Sequence, residues 1–450
     1  MAEQENKKPE NALKIRENSS LKKEFEYGRK PDFFWFGIVG TVFAINLTRL
    51  AFHIHAEQDP AIKKMEGPLV IVGNHPSYID PIIMGSTIYG RKINFVAGAF
   101  LFRNKIFRHI ISTGGCIPKM QFKTDLRAVK AMMRVLSRGG VLGIFPEGTR
   151  FVDGSSIPFD NGLAQLIKKT NSGLVFLESH GAYMSWPRWS TSTKRRGKIT
   201  AKLVNPISSE EISKMSVDEI QAVMARQLDY NEYDYFSQHP QKFTCRAPAE
   251  GAQNVANICP KCEGMNTMRA RKNRLFCSAC GNAVLVNDYG FFEPETPDSK
   301  YFPDLHKWVC WEKTIYAREA ARPDYCFTEK VELQRPYGEN DYALVGEGVL
   351  TIKDGQVIYE GTACPTEDGI VYKKGKPIRK HKNRDISKTA QPEKIVFSIK
   401  SMKGFVYDFG LFIEFYEKNG TVDRIFPQNR QRIYEISEII QAMRKQPEAN

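Results

Sequence analysis

Leu69-Val70-Ile71-Val72-Gly73-Asn74-His75-Pro76-Ser77-Tyr78-Ile79-Asp80-Pro81 is the stretch on which the fold turns. Its first half, with Pro68 before it, is a short apolar run that reads as a buried strand. Pro81 suits a first helical position and disfavours helix at the residue before it. Asp80 is therefore placed to cap a helix running to about Tyr89, with Gly90 as its stop. His75 and Asp80 then share one tight loop at the C-terminal end of a strand, where open α/β sheets build their sites.

A histidine beside a carboxylate is a general base with an orienter: the carboxylate fixes the tautomer and stabilises the imidazolium that forms. No serine or cysteine nucleophile stands in an obvious elbow, so the proton would come from a substrate hydroxyl or thiol. Base catalysis of this kind is typically worth about 100- to 10,000-fold. Taken alone, the pair is equally consistent with a helix cap and a satisfied loop histidine. A second stretch shifts the balance. Val141-Leu142-Gly143-Ile144-Phe145 reads as another buried strand, followed by Pro146-Glu147-Gly148-Thr149-Arg150. Gly148 allows close backbone approach, and Arg150 offers a planar fork suited to phosphate. One strand end carries a base and another a phosphate clamp, which suits transfer to a hydroxyl on a phosphorylated substrate.

Asn74-His75 to Asp80 resembles the N-H-x-x-x-x-D block of the glycerophospholipid acyltransferases, the lysophosphatidic acid acyltransferase family. Phe145-Pro146-Glu147-Gly148-Thr149-Arg150 resembles their F-P-E-G-x-R block, at a similar spacing. Between them, Phe95 to Lys119 is similar to the family's acceptor-binding region, with Leu101-Phe102 and Gly115-Cys116-Ile117-Pro118 matching. Lys119 stands where that region usually has arginine, and Leu174-Val175-Phe176-Leu177 lacks the proline of the family's V-P-V-type strand. The likeness covers roughly residues 60 to 230. It implies an acyltransferase-type mixed α/β sheet flanked by helices. It also implies His75 as base and Asp80 as its orienter. Asn74, Glu147, Gly148, Thr149, Arg150 and Lys119 would line the substrate site. Acyl-CoA or acyl carrier protein would be the donor, and a lysophospholipid such as 1-acyl-glycerol 3-phosphate the acceptor.

At 450 residues the chain exceeds one ordinary domain, and about two or three are expected. Residues 1–30 read as a flexible polar tail. Phe33 to Leu47 is apolar, but it is marginal against the roughly 20 residues needed for a span, and Arg49 and His53 follow it. Lys22, Lys23, Arg29 and Lys30 precede it and would keep the N-terminus cytosolic. A membrane-associated helix over 31–57 is therefore expected, lying in the cytosolic leaflet of the cell membrane. An ordinary packed helix is the alternative. The formal net charge of +14 fits an anionic membrane surface, an anionic substrate or nucleic acid.

From 58 to 240 strand runs alternate with helical patterns, among them Leu126, Val129, Met132, Met133 and Leu136 at helical spacing. Ser179-His180 opens an aromatic loop with Trp186-Pro187-Arg188-Trp189, where His180 reads as structural before functional. Cys259-x-x-Cys262 and Cys277-x-x-Cys280 are paired for a tetrahedral structural zinc, and the unit at 250–290 resembles a zinc ribbon. Thiolates in this pattern need a reducing compartment. Residues 300–450 read as a short helix, Asp304 to Arg318, and then a β-barrel with a final helix. That barrel begins at the Val349–Tyr359 hairpin around Asp354-Gly355 and resembles a pleckstrin-homology-like domain.

The expected function is a membrane-associated O-acyltransferase. The rival is a catalytically silent relative that binds nucleic acid or lipid through the ribbon and the basic runs. The apolar N-terminal segment and the intact base–carboxylate pair weigh against that rival, so nucleic acid is not expected as a partner.

Overall fold

The computed structural model describes residues 29–32, 40 and 45–446, less 89–90, 104, 121–124, 193, 339–340, 374–375, 403 and 417–421. Most of the apolar segment Phe33–Leu47 therefore lies outside the described residues. Its end is described: a short helix, Asn46–Ala51, exposes Leu47 and Leu50. The helix expected over 31–57 does not continue. His53 takes a left-handed φ of 51°, which ends it, and Ile54–Ala56 form an edge strand. Among the described residues no helix is long and apolar enough to cross a membrane.

The first sheet has seven strands: β1 (Ile54–Ala56), β2 (Leu69–Gly73), β3 (Ile93–Gly98), β4 (Ile117–Lys119), β5 (Val141–Ile144), β6 (Gly173–His180) and β7 (Ile199–Ile207), in the order β1-β7-β6-β2-β5-β3-β4. Neighbours pair in parallel except β6 with β7, which run antiparallel. Every residue of β2 is buried, because β5 and β6 flank it and layers cover both faces. Leu69 and Ile71 pack with Ile83 and Met84 of α1 (Asp80–Thr87) on one face. Val70 and Val72 pack on the other face with α2 (Leu126–Ser137), α3 (Gly162–Thr170) and α4 (Val217–Leu228).

Two local expectations change. Asp80 is the first residue of α1, not its cap; Ile79 holds the cap position with no side-chain bond, and the helix stops at Thr87. Helix α2 buries Ala128, Ala131, Met132, Val135 and Leu136, whereas Leu126 and Val129 are exposed. The two alanines allow the helix backbone to approach the sheet closely, and that contact chooses the buried face.

Beyond Gln238 the chain builds two antiparallel sheets. The first carries four strands, β8 (Met268–Arg271), β9 (Arg274–Cys277), β10 (Ala283–Val286) and β11 (Phe292–Pro294). Helix α5 (Leu305–Ala320) follows, capped by Asp304 onto the Lys307 N–H. A nine-stranded sheet spans 327–427, and α6 (Arg432–Lys445) closes the chain. Its hairpin turns at Asp354 and Gly355, both with positive φ, as the sequence predicts.

These parts are not beads on a string. One buried cluster runs from Phe151, Tyr183 and Trp189 through Ile258, Cys259 and Trp308 to Phe409, Tyr434 and Ile440. Helix α5 is its pivot. Trp308 Nε1 donates to Ile258 O at 3.0 Å, Glu312 accepts the Ile258 N–H at 2.7 Å, and the Tyr316 hydroxyl donates to Asn257 at 2.6 Å. Trp308→Ala removes a fully buried indole and orphans a carbonyl, and should cost about 3–5 kcal/mol. Because the core is shared, urea unfolding followed at the cysteine unit and at the C-terminal sheet should give one coincident transition. Two separated transitions would show independent domains.

Candidate active site

The loops after β2 and β5 leave neighbouring, parallel strands at the same end of the sheet, and one side chain ties them together. Glu147 accepts the Asn74 side-chain amide on Oε1 at 2.8 Å and the His75 backbone N–H on Oε2 at 3.0 Å. Asn74 also donates to Leu228 O at 2.8 Å, which anchors the loop to the end of α4. The return strap is the Phe151 N–H, which donates to His75 O at 3.0 Å. Gly148 turns the second loop with φ +69°, a left-handed value that disfavours any Cβ, although a Cβ there would meet nothing within 4 Å.

His75 Nδ1 lies 2.6 Å from Asp80 Oδ2, and the Ser77 N–H donates to the same oxygen at 2.9 Å. The carboxylate that sequence would spend on a helix cap thus turns back to the histidine. Asp80 is 1% exposed and, among the described residues, its Oδ1 has no partner. Burial pushes its carboxyl up, and the bond to His75 pulls it down. The imidazole stacks on Phe145 at 4.7 Å between centroids, which fixes the ring plane. With Nδ1 committed to Asp80, Nε2 is the nitrogen left to act on a substrate proton.

The rim is aromatic and cationic. The Arg150 guanidinium lies 3.9 Å from the ring centroid of Tyr78, on the histidine's own loop. Thr149 accepts from Arg188 at 3.1 Å. The Ser77 hydroxyl donates to Trp186 O at 3.2 Å, so the 186–189 loop closes one side. Lys119 ends β4 at the same edge of the sheet, beyond β3, and is exposed. It is two strand spacings from β5, roughly 10 Å. The structure thus brings Asn74, His75, Asp80, Glu147, Gly148, Thr149 and Arg150 together and leaves Lys119 at the margin.

Sequence reasoning missed Arg188 and the Tyr407 and Phe409 rings that pack against it from a distant part of the chain. The aromatic Trp186–Trp189 run was the available signal for Arg188; nothing local marks the other two. His180 is held by Tyr230 at 2.9 Å and Glu178 at 3.1 Å and stacks on Tyr235, a structural arrangement.

The four cysteines converge. Cys259 and Cys280 sulfurs are 3.6 Å apart, Cys262 and Cys277 are 3.8 Å apart, and all four lie within 4.8 Å of one another. Sulfurs about 2.3 Å from a tetrahedral zinc would be about 3.8 Å apart, so the set fits such an ion. Backbone N–H groups of Lys261 and Ala279 point at Cys259 and Cys277, both at 3.4 Å, as suits charged thiolates. Asp153, His306 and Cys310 also gather, but Lys313 Nζ is 3.7 Å from the Asp153 carboxylate. That ammonium already supplies the positive charge a metal would bring.

An acyltransferase family model matches residues 52–179. Among curated proteins, a chloroplastic 1-acyl-sn-glycerol-3-phosphate acyltransferase of Arabidopsis thaliana is 24% identical over 180 residues, 40% of this chain and 50% of that protein. The 1-acyl-sn-glycerol-3-phosphate acyltransferase of Bacillus subtilis is 24% identical over 160 residues, 36% of this chain and 77% of that protein. The chain spans about half the length of the chloroplastic relatives it matches. The crystal structure of the 1-acyl-sn-glycerophosphate (LPA) acyltransferase PlsC from Thermotoga maritima superposes with a TM-score of 0.37 at 17% identity. That match covers 44% of this chain and 77% of that one. Residues 52–179 are thus an acyltransferase domain distantly related to the 1-acyl-glycerol-3-phosphate enzymes.

Two expectations follow from the geometry. Burial pushes the Glu147 carboxyl from its ordinary 4.5 up to about 7. The folded chain keeps that proton where the unfolded chain has lost it. Its stabilisation is full below about pH 4.5 and is lost as pH rises through about 7. Glu147→Gln should therefore flatten the fall of the urea midpoint between about pH 5 and 8, whatever constant offset the lost acceptor adds. For the cysteine unit, metal analysis should find about one zinc per chain, absent in Cys259→Ser together with the folding of that unit.

Proposed function

We propose that the chain is an O-acyltransferase that moves a fatty acyl group from acyl-CoA or acyl carrier protein to the hydroxyl of a lysophospholipid, with 1-acyl-glycerol 3-phosphate as the best-fitting acceptor. The observation that carries this is the 2.6 Å His75–Asp80 bond, locked by Glu147 and set beside Arg150 within the acyltransferase-like segment. His75 Nε2 takes the acceptor's hydroxyl proton as the oxygen attacks the thioester carbonyl. The tetrahedral intermediate collapses, the carbon–sulfur bond breaks, and the thiol leaves with the proton from His75. Asp80 keeps the proton-bearing Nδ1 oriented and stabilises the transient imidazolium. No side-chain nucleophile is required, so no acyl-enzyme forms. Arg150, with Thr149 and Gly148 in its loop, receives the acceptor's phosphate, and Lys119 adds charge at the margin.

Catalysis on an embedded acceptor calls for a membrane surface. Leu47 and Leu50, Phe107 and Ile110, and Met120 beside Lys119 are exposed apolar side chains. With the net charge of +14 they support docking on the anionic cytosolic leaflet. The four-cysteine unit is read as a zinc ribbon and the nine-stranded sheet with α6 as a pleckstrin-homology-like domain. The ribbon's basic residues favour an internal role over nucleic acid. Arg269 donates to Gln431 at 2.8 Å, and Arg274 pairs with Glu295 at 2.6 Å.

His75→Ala should lower transfer of labelled acyl groups from acyl-CoA to 1-acyl-glycerol 3-phosphate by about 100-fold or more while the fold survives. Asp80→Asn should lower the rate by at least about tenfold, because the amide cannot stabilise the imidazolium. Resolving the lipid products by chromatography checks both. Near-native rates in both variants would leave the pair a structural feature.

A further inference from the structure

Arg150 and Arg188 stand together at the rim of the His75 loop, and each has a buried Nε with no partner. Burial lowers the Arg150 proton affinity and the Arg188 charge lowers it further, against the pull of Tyr78, Asp80 and Asp408. Among the described residues neither guanidinium makes an ion pair with a carboxylate. Each is instead covered by aromatic faces. Arg150 lies over Tyr78, and Arg188 lies 5.0 Å from the Tyr407 centroid and 5.2 Å from that of Phe409. Arg188 also donates to Thr149 at 3.1 Å and to the backbone carbonyl of Tyr407. Tyr407 belongs to the strand Phe405–Asp408 of the C-terminal sheet, and Phe409 sits in the turn after it. Two half-buried like charges at one rim, each with an unpartnered buried Nε, form a costly arrangement that an anion would relieve. A doubly charged phosphate monoester matches both the charge and the donor geometry.

We propose that Arg188 and Arg150 form a two-arginine clamp for a phosphate monoester, and that the Tyr407–Phe409 turn of the C-terminal sheet positions Arg188 in it. The clamp makes the C-terminal domain part of the substrate site. Assigning the monoester to the acceptor rests on the acyltransferase reading above; a 3′-phosphate on the donor offers the same chemistry.

The test has a binding arm and a kinetic arm, both on the full chain. In the first, millimolar sn-glycerol 3-phosphate should raise the melting temperature of the wild-type protein, glycerol should not, and Arg188→Gln should lose the shift. Arg188→Lys keeps the charge without the fork, so its shift should be smaller than wild type; it carries this arm if the glutamine variant misfolds. An undiminished shift in the variants, or none in wild type, overturns the clamp. In the kinetic arm, Arg188→Gln should raise KM for 1-acyl-glycerol 3-phosphate by about tenfold or more, with a much smaller change in kcat. A rise confined to the donor's KM assigns the clamp to the donor's phosphate. A fall in kcat with both KM values unchanged overturns it. Binding that depends on Arg188 in a protein that transfers no acyl group would leave the clamp standing and remove the acyltransferase reading.

Discussion

Glu147 is the contact on which the site depends. Two loops leave adjacent strand ends with a single backbone strap between them, Phe151 N–H to His75 O, and one carboxylate adds two more ties, one oxygen on Asn74 and the other on the His75 N–H. Hydrogen bonds from amide donors favour its charge; burial opposes it, and burial is the larger effect. The same contest recurs at Asp80, where the His75 bond and the Ser77 N–H work against near-complete burial. Slackening either loop would lose the hydrogen bonds that offset this burial. On the proposed reading these bonds matter, since a general base must be held within hydrogen-bond reach of the proton it takes.

The second constraint is the shared core. A domain joined by a linker would bring its own interior, yet Phe151 and Trp189 of the first segment, Cys259 of the cysteine unit and Phe409 of the last sheet belong to one buried cluster. Polar ties run the same way, from Asn266 to Glu435 at 2.7 Å and from Arg195 to Pro248 O at 2.7 Å. Arg195, in the basic stretch Lys194-Arg195-Arg196, is only 4% exposed. A four-cysteine unit in such a place packs between the C-terminal sheet and the acyltransferase layer.

What the sequence disclosed followed the range of the interactions involved. The strands β2 and β5 were legible because both faces are covered and the apolar runs are continuous. The cysteine unit was legible because tetrahedral chemistry fixes its spacing. The Asp354-Gly355 hairpin was legible because positive φ selects those residues. The helix α2 pattern was legible at Met132, Met133 and Leu136 but not at Leu126 and Val129, which are exposed while Ala128 and Ala131 are buried, because alanine contributes little to a hydrophobic pattern. The role of Asp80 as a cap was misread because one carboxylate can serve either the helix ahead or the histidine behind; His75 at 2.6 Å decides it. The N-terminal helix was drawn too long because the left-handed turn at His53 leaves no mark in composition.

The division between legible and illegible residues also divides the chemistry. His75, Asp80 and Glu147 lie within two short stretches, since a base and its orienter must be fixed by few bonds and short loops. Arg188 and Tyr407, 219 residues apart, are brought together across nearly half the chain by packing. Recognition of a headgroup needs only charge, a fork of donors and a wall, and any neighbouring surface can supply a wall. The proton-transfer machinery can therefore stay the same while the surface packed against it changes. On the proposed reading the C-terminal sheet would matter at the rim and not at the base: it would hold Arg188 in place from outside, and His75 would work without touching it.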